Sequence, residues 1–113
     1  MTWTIWHNPR CRKSRETLTL LQENGIEPSI REYLKDTATK AELEAVLVQL
    51  GMTPHELLRS KETLARELGL KGADDASVLA AMLEHPKLIE RPIVIYANKA
   101  VLGRPPENVL SLL

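Results

Sequence analysis

Thr2-Trp3-Thr4-Ile5 alternates polar and apolar residues, which is a strand pattern. Asn8-Pro9 breaks it, because the residue before proline is pushed out of the helical region and Asn-Pro favours a turn. From about Ser14 the period lengthens. Thr17, Leu18, Leu20 and Leu21 recur at helical spacing, and Gly25 supplies a stop. Pro28 to Leu34 predicts a second strand, anchored by Ile30 and the Tyr33-Leu34 pair. Strand, helix and strand at this spacing form a βαβ unit, with parallel strands and a right-handed crossover.

The middle of the chain, Thr39 to Glu84, reads as helical throughout. Thr39 is an N-cap with Glu42 as capping-box partner, opening a helix whose stripe is Leu43, Val46, Leu47 and Leu50 and whose stop is Gly51. Thr53-Pro54 restarts a helix that runs through Glu56, Leu57 and Leu58 to Arg59. Lys61 to Leu68 is a short amphipathic segment ended by Gly69. Asp75 is the candidate N-cap of a helix over Ala76 to Glu84, which His85-Pro86 terminates. Arg91 to Tyr96 is rich in β-branched residues and predicts a third strand. Ala97-Asn98-Lys99 fits a hairpin turn in which Asn takes the left-handed region. Ala100-Val101-Leu102 is a fourth strand. Pro105-Pro106 opens a last helix with Val109, Leu110 and Leu113 on its buried side. The order predicts one domain over residues 1–113: an α/β sandwich on a four-stranded mixed sheet, thioredoxin-like, with a helical insertion.

Composition narrows the chemistry. The chain has 113 residues, 43% hydrophobic and 27% charged, as soluble globular domains do. Its formal net charge is zero, so no global field favours nucleic acid or an acidic membrane. Positive charge is local, between Arg10 and Arg15. The longest apolar run, Val78 to Leu83, is too short to span a bilayer, and no signal-peptide pattern opens the chain. A cytoplasmic, reducing setting is therefore expected. The single cysteine excludes an internal disulfide, and His55 and His85 lie with no other candidate ligands, so no metal is expected.

That cysteine, Cys11, falls at or just before a helix N-terminus, where unpaired N–H groups and the helix dipole stabilise a thiolate. His7, Arg10, Arg12 and Lys13 add positive charge. Such surroundings lower a cysteine pKa from about 8.5 towards roughly 3.5–7.5. The alternative for a lone cysteine is a buried, inert small hydrophobe; the charged flanks argue against it.

The run His7-Asn8-Pro9-Arg10-Cys11, with Lys13-Ser14-Arg15-Glu16-Thr17, resembles the nucleophile loop of glutaredoxin-dependent arsenate reductases. The likeness continues through Leu57-Leu58-Arg59, His85 to Val94 and Gly103-Arg104-Pro105, and so covers essentially the whole chain in order. The resemblance implies that Cys11 attacks arsenate to form a thioester-like arsenic adduct. Glutathione, as co-substrate, then displaces it, and glutaredoxin resolves the mixed disulfide while arsenite leaves. No bound cofactor is implied.

By the same resemblance Arg59, Arg91 and Arg104 bind the oxyanion. Guanidinium groups suit that task, being always protonated and able to donate in bidentate fashion. Each taken alone is equally a solvated surface charge. Arg59 ends a helical run and suits a helix C-terminus, whereas Arg91 and Arg104 lie at strand ends, where sites are often built, which favours them. The resemblance gives His7 a role in lowering the Cys11 pKa and makes Asn8 a supporting residue. Ser14 occupies the place of the second cysteine of thioredoxins; its hydroxyl either donates to the thiolate or caps the helix. Pro92 matches the proline that is cis in thioredoxin-like folds. Position 12, usually a small residue such as serine in this family, is Arg12, either an aid to anion capture or an obstruction in the pocket.

Other readings lose a residue that they need. A regulator of the Spx type, which binds RNA polymerase, carries Cys-x-x-Cys where Ser14 stands. A low-molecular-weight tyrosine phosphatase needs an arginine where this chain has Thr17. A glutaredoxin-like thiol reductase with one cysteine remains compatible with the sequence.

Overall fold

The computed structural model describes residues 2–113. The chain divides into two units, residues 2–36 with Arg91–Leu113, and Thr37–Glu90.

The first unit is built on the mixed four-stranded sheet that the sequence predicts. Its strands are β1 (Trp3–Trp6), β2 (Ser29–Arg31), β3 (Ile93–Tyr96) and β4 (Lys99–Leu102), in the order β2-β1-β3-β4. β1 runs parallel to β2, with Ile5 opposite Ile30, and antiparallel to β3, with Ile5 opposite Val94. Helix α1 (Arg12–Glu23) makes the crossover. Ile5, Leu21, Val94 and Val109 form the buried cluster, because the pleat turns Ile5 and Val94 to the face on which α1 and the C-terminal segment pack. Trp3 stacks on Tyr96 at 4.2 Å between ring centroids.

Four details of this unit depart from expectation. β2 stops at Arg31 because Lys35 N–H and Asp36 N–H both donate to Glu32 O at 2.9 Å, closing a turn. Tyr33 is buried as expected, but Ile30 (52% exposed) and Leu34 (42%) face solvent at the sheet edge. The positive φ of the hairpin falls on Ala97 (56°) rather than Asn98. The last segment, Pro106–Leu112, is a 3-10 helix. Three residues per turn align Pro106, Val109 and Leu112, so those pack inwards while Leu110 and Leu113 are exposed.

The second unit is helical. α2 (Lys40–Leu50) opens with the predicted Thr39/Glu42 capping box and closes on Gly51 at φ 67°. α3 (Pro54–Leu57) has a second capping box, between Thr53 and Glu56. α4 (Thr63–Glu67) and α5 (Asp75–Glu84) follow. The N-cap of α5 is Asp74, one residue before the expected Asp75; its Oδ1 accepts from Ser77 N–H at 2.8 Å. Asp75 is thereby left to pair with His55 at 2.6 Å. An isolated bridge joins Leu58 to Ile89.

Candidate functional site

Cys11 is the N-cap of α1, with extended φ and ψ of −93° and 123°, and its side chain makes no capping bond. The Ser14 and Lys13 N–H groups of the first turn still favour the charged sulfur electrostatically, as they would a bound anion. Cys11 is largely buried, and burial pushes the thiol up. The Ser14 N–H, the Arg91 charge, the Lys13 N–H and a hydrogen bond from the Arg91 side chain together outweigh it, and hold the thiol below its ordinary value. A thiolate at a helix N-terminus beside a guanidinium is what nucleophilic attack requires.

Local chemistry fixes the loop that presents this sulfur. Asn8 Oδ1 accepts from Arg10 N–H at 3.0 Å, an Asx turn, and Cys11 N–H donates to Asn8 O at 3.0 Å. Arg15 reaches back from α1 to donate from Nη1 to Pro9 O at 2.9 Å. That brace was not legible from spacing, since only the folded loop brings the two together. Ser14, fully buried, takes neither of its two expected roles through its hydroxyl. Ser14 Oγ accepts from Asn8 N–H at 3.0 Å and is hydrogen-bonded to His7 Nδ1 at 2.6 Å, while its backbone N–H serves the sulfur. His7 is buried too, and burial holds its pKa down, with Glu32 opposing and Arg15 reinforcing the shift. The imidazole is thus a neutral hydrogen-bonding group.

Arg91 and Arg104 come together in this unit. Arg104 Nη1 donates to Arg91 O at 3.1 Å, and the Arg91 guanidinium faces Cys11. The peptide bonds Arg91-Pro92 and Arg104-Pro105 are both cis. Arg59 belongs to the second unit, where its guanidinium meets Glu62 at 3.4 Å and Glu90 at 3.6 Å and donates to Lys87 O at 3.1 Å. Arg12 turns along the surface of α1 to Glu16, with Nε 2.8 Å from Oε1 and its side chain 84% exposed. Spacing puts Thr17 in the α1 stripe, where it is fully buried, but not its link to Gly103: Thr17 donates to Lys13 O at 2.8 Å and its hydroxyl lies 3.4 Å from Gly103 O, seating the end of β4 against α1. Among the described residues no group of three or more His, Cys, Asp or Glu side chains is gathered to hold a metal.

The chain has close relatives. The chain is 50% identical over 111 residues to the protein YfgD of Escherichia coli (strain K12), covering 96% of this chain and 93% of that one. It is 45% identical over 116 residues to an arsenate reductase of Haemophilus influenzae, covering both chains in full. The solved arsenate reductase of Vibrio cholerae superposes with a TM-score of 0.96 at 47% identity, over 100% of this chain and 98% of that one, and shares its thioredoxin-like fold. Residues 6–112, which span the cysteine loop and all three arginine positions, match the ArsC family, and the chain belongs to that family.

Proposed function

We propose that this chain is an arsenate reductase, with Cys11 as the nucleophile and a glutathione and glutaredoxin system as the donor. One observation carries the reading: a thiol held below its ordinary pKa by the Ser14 and Lys13 N–H groups and the Arg91 guanidinium. Relatives named arsenate reductase at 45–47% identity support it.

The chemistry follows from those parts. The Cys11 thiolate attacks the arsenic of arsenate, forming a sulfur–arsenic bond as an oxygen leaves as water. Arg91 neutralises charge on the oxyanion beside the sulfur. Arg104 holds the Arg91 backbone and contributes a second guanidinium. A glutathione thiol then attacks the Cys11 sulfur, forming a Cys11–glutathione mixed disulfide as the sulfur–arsenic bond breaks and its electron pair passes to arsenic, and a glutaredoxin thiol takes the glutathionyl sulfur and frees Cys11. Two thiols give up two electrons, As(V) becomes As(III), and arsenite leaves. Neutral His7, through Ser14, keeps the first turn in register with the loop. The reaction suits the cytoplasm, where glutathione keeps thiols reduced. Among the described residues no helix is long and apolar enough to cross a membrane.

The test is a coupled assay with arsenate, glutathione, glutaredoxin and a glutathione-recycling system, run on wild type and Cys11→Ser. Arsenate-dependent donor oxidation that vanishes in the variant is expected. Turnover of mixed disulfides without arsenate would instead assign a glutaredoxin-like thiol reductase.

A further inference from the structure

We propose that the cavity between the nucleophile loop and the turn after β2, where Arg10 and Lys35 flank Glu32, is the binding subsite for glutathione. The inference rests on glutathione being the donor and names where that donor sits.

The cavity holds about 280 Å³, just under the roughly 300 Å³ at which small-molecule pockets begin, so a ligand as small as a tripeptide would be only partly enclosed. Glutathione carries two carboxylates and one ammonium, and the cavity offers two cations, Arg10 and Lys35, and one carboxylate, Glu32. Its walls add Pro9 and the exposed Leu34 as apolar contact for the peptide between the charged ends. The larger concavity along α1, about 520 Å³, has the opposite balance: Arg12 and Arg15 face Glu16, Glu23 and Glu107. A net anionic tripeptide is repelled there and attracted here.

Both walls are preorganised, so little ordering cost attends binding. Arg31 Nε donates to Asp36 O at 3.0 Å, which locks the turn bearing Glu32, Leu34 and Lys35. The opposite wall is set by the Arg15 to Pro9 bond at 2.9 Å and by the Asx turn at Asn8. Lys35 Nζ lies 3.9 Å from Glu32 Oε1, with the two side chains 85% and 45% exposed. A pair so exposed contributes little and opens readily to a ligand. Arg10 is one peptide from Cys11, so their Cα atoms are about 3.8 Å apart. Glutathione bound here lies against the Asn8-Pro9-Arg10 stretch that leads into Cys11, which itself does not line the cavity.

The experiment titrates isotope-labelled protein with S-methylglutathione, which cannot form a disulfide, and follows backbone amides by NMR. Saturable shifts are expected at Asn8, Arg10, Glu32 and Lys35. Arg10→Glu and Lys35→Glu should each weaken the binding roughly fivefold or more, and raise KM for glutathione relative to KM for arsenate by a similar factor. Arsenate turnover by wild type that needs no glutathione sinks the donor reading and this subsite with it. Glutathione-dependent turnover accompanied by shifts elsewhere, by no shifts, or by variants that titrate like wild type sinks the subsite alone.

Discussion

His7 Nδ1 and Ser14 Oγ lie 2.6 Å apart with both side chains buried, and Asn8 N–H donates to the same oxygen at 3.0 Å. One hydroxyl therefore ties the end of β1 to the first turn of α1. Ser14→Ala strips a partner from two polar groups in a closed site, at about 1–3 kcal/mol. Denaturant unfolding should show that loss. The Ser14 N–H is retained in the variant, so the thiol should still titrate below its ordinary value when followed by alkylation rate against pH. An unfolding midpoint equal to wild type would contradict the assignment.

Arg91 acts on Cys11 both through its charge and through a hydrogen bond, and burial of the sulfur opposes it. Removing the charge in Arg91→Gln leaves burial less opposed. The midpoint of the alkylation profile should move up, and reactivity near neutral pH should fall. Arg104→Ala, which deletes a donor to the Arg91 carbonyl rather than a cation on the sulfur, should move it less. Equal profiles in wild type and Arg91→Gln would remove Arg91 from the thiolate's surroundings.

Much of this is legible in the sequence. Alternation in Trp3 to Ile5, the break at Asn8-Pro9 and the helical stripe after it put Cys11 at a helix start, and the structure makes it the N-cap. The capping box at Thr39 was readable because its two residues are close in sequence and act locally. What was hidden depends on tertiary geometry. The exposure of Ile30 follows from its place on an edge strand, which no periodicity reveals. A period of 3.6 puts Leu110 and Leu113 on the buried face, and the segment uses 3.0. Sequence position offers the Ser14 hydroxyl either the sulfur or a cap, and His7, brought near by the fold, takes it instead.

Arg12, like Arg10, is a cation next to the nucleophile in sequence, yet its guanidinium is committed to Glu16 one helical turn away and its side chain is 84% exposed. Such i,i+4 pairs contribute about 0.3–0.5 kcal/mol. Arg12→Ser should change stability by no more than that and leave the Cys11 alkylation profile in place. A clear upward move of that profile would show that Arg12 reaches the sulfur in solution.

Gly103 is required by packing. A Cβ there would come within 2.5 Å of Thr17 Oγ1 and 2.9 Å of both Thr17 Cγ2 and Pro92 Cγ. Gly103→Ala should cost about 1–3 kcal/mol, the range for overpacking. Thr17→Ala removes two of the three offending atoms. In a double-mutant cycle the combined variant should therefore lose less stability than the two single losses added together. Additivity would mean that the strain is relieved elsewhere.

His55 and Asp75 give the second unit a pH dependence of definite sign. Their hydrogen bond at 2.6 Å raises the His55 pKa above its usual value of about 6.5, against some burial, with the Asp75 charge and the Leu70 and Ala73 carbonyls adding to the rise. A group whose pKa is raised on folding contributes stability that is fully present below the unfolded value and is lost as pH rises through the folded one. Buried His7 works in the opposite sense: its pKa is lowered, so its contribution is present above about 6.5 and is lost as pH falls. Whole-protein stability mixes the two, and variants separate them. Wild type should exceed His55→Gln in stability most clearly near about pH 5, with the gap narrowing towards about pH 8. The difference is read from urea unfolding at each pH. A gap that widened with rising pH would mean that the imidazole pairs with Asp75 in its neutral form.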